Sequence, residues 1–203
     1  MRKARILLTG FCPFLGERIN PSQLILEKIN HSEQFKSSVD TLLLPVSFQQ
    51  AVPLLIEKMQ KQHYDYVLML GQAGGRQKVN LERVALNWLE SEHPDEDGFK
   101  PEQGEISKGS EPALFTRAPL NQWKDILDKQ GHSVVVSLSA GGYVCNYLYF
   151  HVLSWINAQR LSTQACFIHV PYLPEQVLEK KEIPAMPIEQ QQKIIEMILA
   201  QCK

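Results

Sequence analysis

No stretch of the sequence approaches the roughly 18 consecutive apolar residues that a membrane-spanning helix requires. An excess of either charge is also missing. The 21 Lys and Arg residues are matched by 22 Asp and Glu, for a net charge of -1, and no basic stripe interleaved with aromatics occurs. Nucleic acid and other polyanions are therefore not expected partners. Cysteine is sparse: Cys12, Cys145, Cys166 and Cys202 are unevenly spread, with no CxxC pair and no HExxH. That pattern is neither a secreted disulfide framework nor a metal site, and it points to a reducing cytoplasm with no bound metal. The opening MRKARILLTGF is basic, but its apolar run stops at Thr9-Gly10, too short for the core of a signal peptide. No Pro/Gly/Ser-rich linker, internal repeat or shift in composition divides the 203 residues, so one domain over 1–203 is expected.

Short apolar runs alternate with helical spacing. Residues 4–9 (ARILLT), 41–46, 66–70 (YVLML), 133–138 (SVVVSL) and 166–170 (CFIHV) read as buried strands. Asn20-Pro21-Ser22 is a helix start, with a capping side chain before a proline tolerated in the first turn. Further helices are predicted over 47–61, 120–129, 144–157 and from 187 to about 201. Residues 79–88 read as a strand in which Glu82, Val84, Leu86 and Trp88 share a face. The acid-, Pro- and Gly-rich segment 89–118 reads as a surface excursion with a short hairpin. The alternation predicts an α/β fold, a three-layer αβα sandwich with a mixed, mostly parallel sheet and helices on both faces.

In such sheets ligands bind beyond the carboxyl ends of strands. The loops there begin at Gly10, Gly71, Ser139 and Val170, and the extended region around Glu82 joins them. SAGGYVCN places Cys145 in the first turn of a helix, where open amides and the helix dipole favour an anion. A nucleophilic thiolate is the sharper reading, and a small buried hydrophobe the ordinary one. A nucleophile needs a base. Of six histidines, His169 alone ends a strand, and it is predicted to lie on the sheet edge that precedes Cys145. Glu82 sits inside an apolar alternation, where a carboxylate requires a partner such as an imidazolium; an exposed edge-strand face is its alternative.

The blocks LTGFCPFLGERINPS, GQAGGRQKVNLERVALN, SAGGYVCN and FIHVPYLPEQ, in this order and spacing, resemble the pyroglutamyl peptidase I (pyrrolidone carboxyl peptidase) family of cysteine peptidases. The resemblance covers most of the chain. It implies a Glu, Cys and His catalytic set at Glu82, Cys145 and His169, the residues reached above from position and chemistry. It further implies cytoplasmic location, frequent homotetramers, no metal or organic cofactor, and peptides blocked by N-terminal pyroglutamate as substrate. Such a lactam offers no ammonium, so recognition has to use shape and neutral hydrogen bonds. Phe11 and Phe14 match the family's aromatic pair around the ring, Gln72 its polar partner, and Tyr143 and Val144 the pocket positions before the cysteine. Departures from the family pattern are Cys12 for glutamate, Leu15 for glycine, Gly142 and Tyr143 for Thr-Phe, and Glu92 where an arginine is common. Two rival readings stay open at this point: a non-catalytic binder of blocked N-termini, and a phosphorylase-like enzyme whose GQAGGR loop and Arg76 hold phosphate.

Overall fold

The computed structural model describes residues 3–180 and 182–203. Met1 and Arg2, which open the basic N-terminal stretch, and Lys181 lie outside the described residues. The described residues form eight strands and five α-helices: β1 (Ile6–Phe11), α1 (Pro21–Asn30), β2 (Val39–Leu44), α2 (Ala51–Lys61), β3 (Tyr66–Gln72), β4 (Val79–Glu82), β5 (Val84–Leu86), β6 (Ala113–Phe115), α3 (Leu120–Lys129), β7 (Val134–Ser137), α4 (Val144–Ala158), β8 (Gln164–Val170) and α5 (Ile188–Gln201). Helix α1 begins as its sequence dictates: the Asn20 side chain accepts from the Ser22 amide and Pro21 occupies the first turn.

Six strands form the main sheet in the order β2-β1-β3-β8-β4-β7. The two faces follow strand parity. Leu8, Leu68, Leu70, Leu81 and Ile168 pack against α1, α3 and α5, whereas Leu7, Val67, Met69 and Phe167 pack against α2 and α4. Central strands β1 and β3 are buried on both faces, so they read as unbroken apolar runs, not as alternations. Each fully buried Leu or Phe contributes on the order of 1.5–3 kcal/mol. The three-layer arrangement is the predicted one, and among the described residues no helix is long and apolar enough to cross a membrane.

Three expectations are corrected. Residues 79–88 do not form one strand: the ladder breaks at Arg83, so β4 stays in the main sheet while β5 leaves it to pair with β6. Trp88 is consequently exposed rather than aligned with the buried Glu82. The cause is a change of partner, because the Arg83 amide still bonds the Ser137 carbonyl while its own carbonyl accepts from Thr116. Second, β4 and β7 pair in parallel with each other, but β4 runs antiparallel to β8. Strand β7 therefore ends in the direction opposite to β8, and His169 and the strand end before Cys145 do not share one carboxyl edge. Helix α2 also starts later than predicted, after a turn at 47–50.

Candidate active site

The antiparallel β4–β8 pair determines where the carboxylate goes. Glu82 is level with Phe167, and Asn80 with His169. Glu82 and His169 are thus diagonal neighbours on the face covered by α4, within reach of two long side chains. His169 Nδ1 and Glu82 Oε1 are 2.8 Å apart, with Glu82 fully buried and His169 nearly so. An ionised carboxylate only accepts, so Nδ1 carries the proton and Nε2 is left as the basic nitrogen. The second carboxylate oxygen, Oε2, has no hydrogen-bond partner among the described residues.

The thiol arrives from α4. Strand β3 puts Gly71 level with His169 on the adjacent strand. A methyl group at Gly71 would lie 3.1 Å from Cys145 Sγ and 2.7 Å from the Phe167 ring. Glycine here is a requirement of close approach, since it lets the sulfur rest against the strand beside His169. The loop from β7 is steered back toward this point. Gly141 has φ +85, Gly142 packs so closely on Glu90 that a Cβ would meet its carbonyl oxygen at 2.6 Å, and the Gly142 carbonyl accepts from the Glu90 amide. Buried Asn146 fixes the first turn of α4, accepting from the Leu86 amide and donating to the Leu86 and Trp88 carbonyls. Tyr143, the N-cap, makes no side-chain capping bond, which leaves the first-turn amides beside Cys145 open.

The stabilised thiolate expected from helix position is not what the free site holds. Burial pushes the Cys145 thiol up to about 12, and the Glu82 charge adds to this; its own backbone amide and Arg76 oppose them without prevailing. Cys145 rests as a thiol that needs a base at the moment of attack.

All five predicted pocket residues, Phe11, Phe14, Gln72, Tyr143 and Val144, line one narrow pocket with Cys145 at its wall. Its free volume is only about 10 Å³, so the lining side chains must part to admit a ring. Asn20 and Val46 complete it and were not anticipated. Asn20 has a local signature, because the residue that caps α1 also donates Nδ2 to the Cys12 carbonyl and so holds the Phe11–Phe14 turn. Val46 gave no such sign. Leu15 adopts φ +52, the backbone a glycine takes without cost, so the turn is retained at about 1 kcal/mol of strain. The Tyr143 hydroxyl donates to the Pro94 carbonyl, and its ring stacks on Phe14.

The excursion proves to be part of the site's frame. Buried Asp95 accepts from the amides of Phe48, Asp97 and Phe99. Glu96 donates its amide to Val46 and accepts the Leu15 amide at 2.8 Å. Residues 94–96 thereby tie together three walls of the pocket. Glu92 is exposed. Arg76 is occupied internally, donating to Ser137 Oγ and the Ser139 carbonyl and lying 3.6 Å from Glu82, so it is not presented to a phosphate. Among the described residues no cluster of three His, Cys, Asp or Glu could hold a metal ion.

A buried carboxylate on an imidazole, with a thiol at a helix start and a small pocket beside it, defines a cysteine hydrolase on an α/β sheet. The pyroglutamyl peptidase family model matches residues 4–201. Pyrrolidone-carboxylate peptidase 1 of Caldanaerobacter subterraneus subsp. tengcongensis is 39% identical over 95% of this chain and 94% of its own. The crystal structure of pyrrolidone carboxyl peptidase from Fervidobacterium islandicum AW-1 superimposes with a TM-score of 0.92 at 40% identity, covering 97% of both chains. That of Bacillus amyloliquefaciens pyroglutamyl peptidase I gives 0.91 at 33% identity, covering 98% of this chain and 96% of that one. The chain belongs to the pyroglutamyl peptidase family of cysteine peptidases.

Proposed function

We propose that residues 1–203 act as one catalytic domain that removes N-terminal pyroglutamyl residues from peptides, with Cys145 as nucleophile, His169 as acid and base, and Glu82 as the group that orients the imidazole. The observation that carries this reading is the buried Glu82–His169 bond on the strand next to Gly71, against which the Cys145 sulfur rests. Phe11 and Phe14 sandwich the lactam ring, Tyr143 and Val144 close the pocket, and Gln72 supplies a neutral polar contact.

In this reaction His169 Nε2 takes the thiol proton as sulfur attacks the pyroglutamyl carbonyl, because the resting thiol is not ionised. Glu82 accepts from Nδ1 and stabilises the imidazolium so formed. The open amides at the start of α4 receive the developing oxyanion; in comparable sites one such donor is worth roughly 3 kcal/mol. The imidazolium then protonates the leaving amine, a thioester remains, and water activated by His169 releases pyroglutamate. The absence of an ammonium on the substrate agrees with a pocket built from aromatic rings, Val144 and amide groups. The cytoplasm as site of action and assembly into a homotetramer belong to the same reading, supported by family resemblance and, for the compartment, by four free thiols.

The test is release of a fluorescent amine from a pyroglutamyl amide, beside the prolyl amide, before and after iodoacetamide. Cleavage of the pyroglutamyl compound alone, abolished by alkylation and by Cys145→Ser but not by Cys12→Ser, is expected. A fully active Cys145→Ser protein would remove the nucleophile assignment, and no cleavage by a folded protein would favour the binder.

A further inference from the structure

Glu82 is a fully buried carboxylate, and the imidazole it orients is neutral with Nε2 basic, so the pair by itself carries one unbalanced negative charge. A charge taken out of water is costly unless an opposite charge lies close. Among the described residues Arg76 is the one Lys or Arg paired with Glu82: Nη2 lies 3.6 Å from Glu82 Oε1 and donates to the Ser139 carbonyl at 3.2 Å, while Nη1 donates to Ser137 Oγ at 3.4 Å. Asn80, level with His169, accepts from Nη1 when its amide oxygen faces the guanidinium, and in that orientation it also donates to the Lys78 carbonyl at 2.7 Å. One nitrogen, Nη2, therefore lies against both the carboxylate on β4 and the first residue of the SAGGYVCN loop that delivers Cys145. The other titratable groups around the pair are Cys145 and Tyr149 from α4 and Cys166 from β8, and burial keeps all three protonated and so uncharged. Arg83, next after Glu82, reaches away to Asn121.

We propose that Arg76 is a positioning residue: it balances the Glu82 charge so that His169 rests unprotonated at Nε2, and it ties the Glu82–His169 pair to the loop carrying Cys145. With Arg76 in place, the carboxylate, neutral imidazole, thiol and guanidinium sum to no net charge, so a further proton on His169 adds an uncompensated charge to a buried site. Without Arg76 the same group is negative, and a proton on Nε2 neutralises it. An imidazole already protonated cannot take the thiol proton, so the site stands idle until the pH rises far enough to remove it. The catalytic use of Arg76 rests on the pyroglutamyl peptidase reading, whereas its effect on the thiol operates with or without substrate.

The test follows alkylation of Cys145 by iodoacetamide, read by peptide mass as a function of pH, beside kcat and KM on the pyroglutamyl amide. In Arg76→Met, which keeps the stem and removes the charge, the low-pH limbs of the alkylation rate and of kcat/KM are expected to move up by about one pH unit. At the plateau kcat falls about tenfold with KM within about threefold. Arg76→Lys keeps the charge but not the fork that reaches Ser137 and Ser139, so it is expected to return both limbs to within about 0.3 unit of wild type while kcat stays low. A purely structural role would lower melting temperature and rate without moving either limb, and lysine would restore nothing. Should Arg76→Met not fold, Arg76→Met combined with Glu82→Gln must fold, since no carboxylate is then left unbalanced; an unfolded double variant overturns the proposal. Limbs in folded Arg76→Met that coincide with those of wild type overturn it as well. The expected shift in alkylation, without cleavage of the amide by the wild-type protein, would refute the peptidase reading alone.

Discussion

Adding one methyl group at Gly71 tests whether close approach between strand and helix positions the proposed nucleophile, Cys145. In Gly71→Ala the new Cβ would stand 2.7 and 2.8 Å from two atoms of the Phe167 ring and 3.1 Å from Cys145 Sγ. Comfortable carbon contacts lie near 3.5–4.0 Å, so one side must yield by about 1 Å. Phe167 is fully buried and is packed by the Phe11, Tyr149 and His169 rings, so the ring has nowhere to go. Overpacking of this kind costs about 1–3 kcal/mol, or roughly 2–12 °C in melting temperature for a chain of this length. The sulfur is the more mobile partner, and a displacement of about 1 Å lowers turnover on the order of 10²-fold. Calorimetric melting and kcat on the pyroglutamyl amide measure the two effects separately. Gly131→Ala supplies the comparison: it has φ +78 and open space around it, so it loses about 1 kcal/mol of stability without a change in turnover. A Gly71→Ala protein melting within about 1 °C of wild type and turning over within about twofold would refute the reasoning.

Three further outcomes are expected. Glu82→Gln keeps the size of the side chain but not its charge, and it should reduce kcat on the order of 10²-fold or more while KM changes little; a pure KM effect would assign Glu82 to substrate binding instead. Asn146→Ala strands one amide and two carbonyls of residues 86 and 88, at about 1–3 kcal/mol for each group left unpaired, so a loss of at least about 3 kcal/mol in urea unfolding is expected, and a loss below about 1 kcal/mol contradicts it. Stability should also fall in alkali. Cys145 and Cys202 are pushed to about 12 and Cys166 is raised as well, against an ordinary value of 9.0, with burial the leading cause. Their protonated forms favour the native state fully below about pH 9, and this contribution disappears as pH rises through about 12, where buried Tyr149 acts in the same direction. Urea midpoints that are equal at about pH 8 and about pH 11 would contradict the raised values of these thiols.

Much of the arrangement was legible in local chemistry. Strand runs followed by helical spacing gave the layer order, because a chain that alternates the two has few ways to bury both apolar faces. Asn20 and Pro21 marked the start of α1, since capping acts over two or three residues and needs no distant partner. The four motif blocks carried the family, and with it Phe11, Phe14, Gln72, Tyr143 and Val144, which line one pocket. Position and side-chain chemistry together brought Cys145, His169 and Glu82 forward as a nucleophile, a base and a carboxylate in need of a partner.

The sequence by itself thus determined the kinds of elements, the family and the identity of the side chains proposed to react. Only the tertiary structure decided that β4 runs antiparallel to β8, which makes Glu82 and His169 diagonal neighbours across 87 positions of sequence. Strand direction depends on which edge a distant segment joins, and nothing in the four residues of β4 encodes that choice. Burial decided the state of Cys145, because a helix start favours a thiolate only as far as desolvation and the nearby Glu82 charge allow. Residues 94–96 looked like exposed polar loop, yet their backbone and carboxylates hold the pocket walls, and Gln176 meets Gln72 across 104 positions. A polar residue in a sequence does not reveal its partner; the fold supplies it.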